Sequence, residues 1–267
     1  MSWSQVTSAT PARTEPSPLD SARFGRSVER LTVGGGDDGD GGDGAVPFAA
    51  VAAAIRESAA DVIVLRYPAR RMEWFARLLA LGRTVLLADS LVYWRLEAGR
   101  GRQVPPVPGL WTEPLRDPAA VEPAVLSIFA GYRSHYLANP LFGDADVIAG
   151  YAEWARGSAV AGDCLGLLRA APGVGGPRVA GLATVADDGP STEILLAGVM
   201  PREQGRGRYA HILRAVEERT LARGGTQVVI STQGHHTSVQ RAWARYGFEP
   251  VLTLLTVHLL RAGLCPS

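Results

Sequence analysis

Residues 192–221 restrict the fold more than any other part of the chain, because the apolar pattern changes its period within them. Residues 192–200, Thr-Glu-Ile-Leu-Leu-Ala-Gly-Val-Met, form a short apolar run bounded by turn residues, which reads as a strand. Soon afterwards Tyr209, Ile212, Leu213, Val216 and Thr220 recur at i, i+3, i+4, i+7 and i+11, the spacing of one helix face. Between strand and helix stands Arg202-Glu203-Gln204-Gly205-Arg206-Gly207. A glycine-rich turn that opens a helix presents unpaired backbone N–H groups, and the helix dipole adds partial positive charge there. Glycine also lets the backbone approach an anion closely or adopt positive φ. Arg202, Arg206 and Arg208 add cationic side chains, so the segment predicts a phosphate-binding turn. The pattern is neither Gly-x-Gly-x-x-Gly nor Gly-x-x-x-x-Gly-Lys, which leaves dinucleotide and P-loop readings unsupported.

Composition narrows the classes further. A chain of 267 residues with 46% hydrophobic residues and a net charge of +1 has room for one or two globular domains and no basic excess for nucleic acid. All 27 basic residues are arginine, which removes lysine Schiff-base chemistry and requires Arg or backbone to hold any anion. Cys164 and Cys265 make neither a disulfide framework nor a metal-ligand spacing, and no metal is expected. Residues 1–20 are polar and Pro-bearing, unlike a signal peptide. The longest apolar stretches, 45–55 and 251–260, fall short of the roughly 20 residues that span a bilayer. A cytoplasmic protein without membrane or nucleic-acid partners is expected.

Residues 1–20 read as a flexible leader and 21–98 as an α/β half-domain. Within the latter, strands at 26–33, 61–67 and 83–96 alternate with helices at 46–57 and 70–81. The run 34–44 consists of Gly and Asp alone; a single irregular copy lacks the stacking that calcium-binding nonapeptides need, so it reads as a solvated loop. Arg66, Tyr67, Arg70 and Arg71 cluster around Pro68, where paired arginines can grip a diphosphate or simply solvate a helix start. Residues 99–120, with Pro105-Pro106-Val107-Pro108-Gly109, read as an interdomain linker. The part from 121 to 267 then gives helices at 123–137 and 145–157, a meander of strands at 163–171, 178–187 and 192–200 with turns at 172–177 and 187–190, the helix after Gly207, a strand at 226–232, a helix at 238–246 and a strand at 251–260.

The strand, turn and helix of residues 192–221, together with His236 to Phe248, resemble the GNAT superfamily of acyl-CoA N-acyltransferases. That superfamily has an Arg/Gln-x-x-Gly-x-Gly/Ala turn and a later segment, Asn-x-x-Ala-x-x-x-Tyr-x-x-x-Gly-Phe. A longer resemblance, to the dTDP-fucosamine acetyltransferases of that superfamily, runs through Tyr132-Arg133-Ser134-His135-Tyr136, Tyr151-Ala152-Glu153-Trp154, Leu195-Leu196-Ala197-Gly198 and Thr232-Gln233-Gly234. These resemblances imply a mixed, mostly antiparallel GNAT sheet flanked by helices, preceded by a truncated GNAT-like half-domain. They imply acetyl-CoA as co-substrate and the amine of a nucleotide-linked sugar as acceptor; a protein N-terminus, an antibiotic, a polyamine or a non-catalytic acyl-CoA sensor are the other readings. Oligomeric state stays open, a homodimer included.

By the same resemblance, Gln204, Gly205, Arg206, Gly207 and Arg208 cradle the CoA pyrophosphate, and the backbones of Val199 and Met200 pair with pantetheine. His236 occupies the place of the Asn that hydrogen-bonds pantetheine. Direct transfer needs an amine that loses a proton and a thiolate that leaves. Glu193 is the leading base, since it lies seven residues before Met200-Pro201, where some members of the superfamily carry a glutamate base, and strand alternation puts it on one face with Leu195, Ala197 and Val199; water can also carry that proton. His235, beside His236 at a strand end, is a second candidate for proton transfer. Trp243 stands where the family's acid Tyr would fall, and an indole N–H donates but is no useful acid. Tyr246, one turn on, is the candidate acid, although Val239, Ala242, Trp243 and Tyr246 also have the spacing of an apolar stripe.

Overall fold

A computed structural model describes residues 3–7, 11–34, 46–143, 147–171 and 176–264. The 34–44 loop beyond Gly34, most of the 172–177 turn and Cys265 lie outside the described residues. In chain order the elements are α1 (Trp3–Thr7), β1 (Glu15–Pro16), α2 (Pro18–Phe24), β2 (Val28–Thr32), α3 (Phe48–Glu57), β3 (Val62–Pro68), α4 (Glu73–Leu78), β4 (Thr84–Glu97), β5 (Leu110–Pro114), α5 (Pro118–Ile128), α6 (Val147–Ala161), β6 (Cys164–Arg169), β7 (Arg178–Asp188), β8 (Ser191–Val199), α7 (Tyr209–Ala222), β9 (Gln227–Gln233), α8 (Thr237–Tyr246) and β10 (Glu249–Leu260).

Contacts divide the chain into two compact units that do not follow the expected boundary near residue 120. The first comprises residues 1–92, 133–145 and 252–267; the second comprises 93–132 and 146–251. The first unit holds the strand order β1-β2-β3-β10, with β2 parallel to β3 and β10 antiparallel to it. The C-terminal strand, expected to finish the second part, thus supplies Leu254–Leu260 as an unbroken partner of Pro68–Val62. β3 reads Val-Ile-Val-Leu-Arg-Tyr-Pro and is nearly all buried, as a strand covered on both faces must be. Its core joins Ile63, Leu65 and Tyr67 to Val51 and Ile55 of α3, Trp74 and Leu78 of α4, and Val257 and Leu259 of β10.

The second unit is the meander β5-β6-β7-β8, antiparallel throughout, with β9 added parallel to β8. Here the linker reading fails in part. Leu110–Pro114 forms a strand along β6, because its backbone groups find a ladder that a linker would leave to water. The helix expected from Pro123 begins instead at Pro118, whose fixed φ suits a first turn, with the Asp117 carboxylate accepting from Ala119 N–H at 3.0 Å. It ends at Ile128, short of the expected residue 137, and His135–Ala138 is a separate 3-10 turn in the first unit. One face of the meander packs under α5 and α6, through Leu182 and Leu196 against Val121, Val125 and Ala155. The other packs on α7 and α8, through Val185, Ile194 and Val199 against Ile212, Leu213, Val216 and Trp243.

Candidate active site

β8 and β9 pair only from Ser191 with Gln227 to Ile194 with Ile230 and then part, although β8 runs on to Val199 and β9 to Gln233. The cause lies in β8. Val185 pairs with Ile194 and Thr184 with Leu196, so Leu195 is an extra residue, a bulge that bends and twists its strand. The opening is a cleft of about 240 Å³ lined by Leu195, Ala197, Val199, Thr232, His236 and Trp243, with Gln204, Tyr209, Phe129 and Tyr132 at its sides. Among its lining residues none is Asp, Glu or Arg.

The bulge also overturns the face argument for Glu193. Ile194, Ala197 and Val199 pack in the cluster with α7, whereas Leu196 and Met200 pack with α5 and α6. Glu193, adjacent to Ile194, therefore points away from the face that carries Val199. It is 5% exposed and does not line the cleft.

Met200 is corrected on similar grounds. Its N–H donates to Ala180 O at 2.8 Å and its carbonyl accepts from Glu203 N–H at 2.8 Å, so both backbone groups are engaged. Ladder alternation then turns the backbone groups of Val199, and of Ala197, the opposite way, toward the side that β9 has left. Ala197 and Val199 thus offer an open strand edge. Ala197 was missed because nothing in its residue type announces a bulge two positions earlier.

At the mouth of the cleft, Gly205 has φ +72° and Gly207 φ +69°, the left-handed region that a Cβ disfavours. Among the described residues none of the N–H groups of Gly205, Arg206, Gly207 and Arg208 makes a short, well-aligned bond to a backbone acceptor, and Arg206 is exposed beside them. The turn is held from below by Glu203, which is 5% exposed. Its carboxylate meets Arg169 Nε at 3.1 Å and lies 3.9 Å from Arg208 Nε, so Arg208 faces a carboxylate on one side. Glu203 sits inside the six-residue motif, yet only its burial reveals this role.

The two histidines separate. His235 is exposed and does not line the cleft; His236 does. The His236 Nδ1 lies 3.0 Å from Thr232 Oγ1, and its ring stands 4.6 Å from that of Tyr132, whose hydroxyl donates to Gln233. Burial, then the neighbouring His235, holds the His236 pKa below 6.5, so the ring is neutral near pH 7.

Tyr246 is not placed as an acid. It is 2% exposed, outside the cleft lining, and its hydroxyl donates to Glu217 Oε2 at 2.6 Å. Glu217 Oε1 accepts from Gly99 and Gly101 N–H at 2.8 Å each. Burial and Glu217 push the phenol pKa far up, and the assembly pins the 99–101 loop to α7. Trp243 lies in the core, and its Nε1–H donates to Tyr209 Oη at 3.0 Å.

In the first unit two of the arginines around Pro68 have partners of their own. Arg66 Nε donates to Thr256 Oγ1 at 3.2 Å, and Arg71 lies over the Trp74 ring at 5.6 Å. Among the described residues no group of three or more His, Cys, Asp or Glu could hold a metal ion, and no helix is long and apolar enough to cross a membrane.

No protein-family model matches the chain, and no curated protein matches it. Solved structures do. A GCN5-related N-acetyltransferase from Sphaerobacter thermophilus superposes with a TM-score of 0.57 at 14% identity, covering 77% of this chain and 62% of that one. A tandem GNAT protein from the clavulanic acid biosynthesis pathway gives 0.55 at 16% identity, over 90% of this chain and 76% of that one. A GCN5-related N-acetyltransferase from Kribbella flavida gives 0.53 at 15%, over 89% and 82%. The chain therefore has the GNAT fold. The likeness to the tandem protein over most of the chain agrees with a GNAT domain joined to a smaller GNAT-like part. The chain spans less than two thirds of the Sphaerobacter protein's length.

Proposed function

We propose that the chain is an acyl-CoA-dependent N-acetyltransferase that moves an acetyl group from acetyl-CoA to a primary amine. The observation that carries the reading is the meeting of three features: an open β8 edge at Ala197 and Val199, a strand splay, and unpaired N–H groups on the turn at Gly205–Arg208. Acetyl-CoA supplies an activated acyl carbon and a thiolate leaving group. The turn's N–H groups and Arg206 match a pyrophosphate, and the Ala197 and Val199 edge matches an amide-bearing arm that adds as a strand would. Phe129, Tyr132, Val199 and Trp243 give the cleft apolar walls, beside which polar contacts are stronger than in water.

The proton released from the amine goes to His236. In the tautomer whose Nδ1 donates to Thr232 Oγ1, Nε2 is the basic nitrogen, and the depressed pKa leaves it unprotonated near neutral pH. His236 thus takes over the base assignment from Glu193 and His235.

For the acceptor, the amino group of a dTDP-linked sugar is the reading we favour. Its support is the resemblance of the 132–136 and 232–234 segments and the aromatic lining by Phe129 and Tyr132, a lining that suits sugar C–H groups. A polyamine or a protein N-terminus would be better met by carboxylates, which the lining lacks. We further place the enzyme in the cytoplasm.

The test mixes purified protein and acetyl-CoA with dTDP-amino sugars, aminoglycosides, polyamines and peptides, and measures free thiol. Release with a dTDP-amino sugar above the others supports the full reading. Release with another amine class keeps the enzyme and removes the sugar. CoA binding without release above background for any amine would leave an acyl-CoA sensor.

A further inference from the structure

Three observations about Tyr209 are left over by the proposed transfer. It is the first residue of α7, directly after the turn at Gly205–Arg208, and it lines the cleft. Its phenolic oxygen accepts the Trp243 Nε1–H at 3.0 Å. Its own O–H has no acceptor among the described residues. The indole that donates to it is rigidly seated: Trp243 is 2% exposed and stands edge-on to Trp94, with ring centroids 6.1 Å apart.

An indole N–H can donate but not protonate, whereas a phenol can do both. Trp243 alone therefore leaves a departing thiolate without a proton. A phenol whose oxygen already receives a hydrogen bond keeps its proton for another acceptor, and any negative charge that develops on the oxygen is met by that same N–H.

We infer that Tyr209 is the catalytic acid of the transfer, donating its Oη proton to the CoA sulfur, and that Trp243 is a positioning residue that holds the Tyr209 oxygen and stabilises the phenolate. The inference rests on the acyl-CoA reading above. The amine nitrogen forms a bond to the thioester carbonyl carbon, the C–S bond breaks, and its electron pair stays on sulfur. Sulfur takes the Tyr209 proton and leaves as thiol. The proton lost by nitrogen passes to His236 Nε2 and then to solvent, and the phenolate is reprotonated from solvent, so no proton is gained or lost overall. Burial raises the Tyr209 pKa, opposed by the Trp243 hydrogen bond, and the phenol carries its proton throughout the working range. The position expected to hold an acid, Trp243, thus acts one hydrogen bond away, through a residue on another helix.

The test uses the full chain with CoA and desulfo-CoA, without an amine. Binding of each is measured by calorimetry, and the ionisation of bound CoA is followed through the ultraviolet absorbance of the thiolate. Tyr209→Phe is expected to raise the apparent pKa of the bound thiol by about one unit, a tenfold loss of thiolate preference, with desulfo-CoA affinity unchanged. Trp243→Phe should raise it by less. An unchanged thiol pKa in Tyr209→Phe overturns the assignment. So does an equal loss of CoA and desulfo-CoA affinity, which would mark Tyr209 as packing alone. Failure of the unaltered protein to bind either ligand overturns the acyl-CoA reading itself, and the Tyr209 assignment with it.

Discussion

The two units each send a strand through a turn into a helix, and the strands part from their neighbours differently there. In the second unit β8 breaks from β9 after four paired positions, and the chain turns through Gly205 and Gly207 at positive φ before α7 begins. In the first unit β3 keeps its partner β10 through seven paired positions, and Pro68 leads into a 3-10 turn and the six-residue α4. The β8 edge at Ala197 and Val199 has lost its β9 partner, whereas β3 stays paired with β10 as far as Pro68. An inserted residue at Leu195 and two glycines at positive φ set the β8 junction apart from the β3 junction.

Replacing those glycines should break the contrast most severely. Gly205→Val with Gly207→Val is expected to weaken acetyl-CoA binding about 100-fold, roughly 2.7 kcal/mol. It should also cost about 2–4 kcal/mol of stability, because two β-branched residues would sit in the left-handed region. Calorimetry and thermal unfolding read the two effects. The matching change in the first unit, Arg70→Ala with Arg71→Ala, should leave acetyl-CoA affinity as it was.

Acid should find the sealed unit first. His135 and His258 are buried there with Nδ1 and Nε2 2.9 Å apart. Burial, then nearby Arg66, pushes His135 well below 6.5 and His258 down to about 3. A histidine whose folded pKa is depressed contributes stability above its unfolded pKa, and loses it as pH falls toward the folded one. Below about pH 6.5 stability should therefore drop by about 1.4 kcal/mol per pH unit for each histidine, levelling for His258 near pH 3. His258→Gln should halve that slope in denaturant titrations repeated at several pH values.

Much of this contrast is legible in the sequence. The glycine turn, the helix face from Ile212 to Thr220 and the meander follow from period and turn residues, which are local properties. The destination of β10 was not readable, since its apolar run fits either sheet and only long-range pairing decides. The bulge at Leu195 was equally silent, and with it fell the face argument for Glu193. Tyr246 shows a third limit: an apolar stripe and a catalytic phenol share one spacing, and burial against Glu217 separates them. Likewise, adjacency suggested a histidine pair, whereas only His236 turns into the cleft.

Smaller effects sharpen those corrections. Tyr246→Phe removes a buried hydrogen bond to Glu217 and should cost about 1–3 kcal/mol of stability while leaving the pH dependence of kcat unaltered. His236→Gln should flatten the acidic limb of kcat/KM, which in the unaltered protein rises through a pKa below 6.5 as the ring loses its proton. Glu193→Gln should leave the shape of that profile unchanged.

Hydrogen exchange with and without acetyl-CoA tests the difference between the two junctions most directly. Protection on binding is predicted at the amides of Ala197, Val199 and residues 205–209, with none gained at Ala69–Arg71. Protection at the first unit's junction, or binding that leaves residues 205–209 exchanging as before, would contradict the assignment of the cleft.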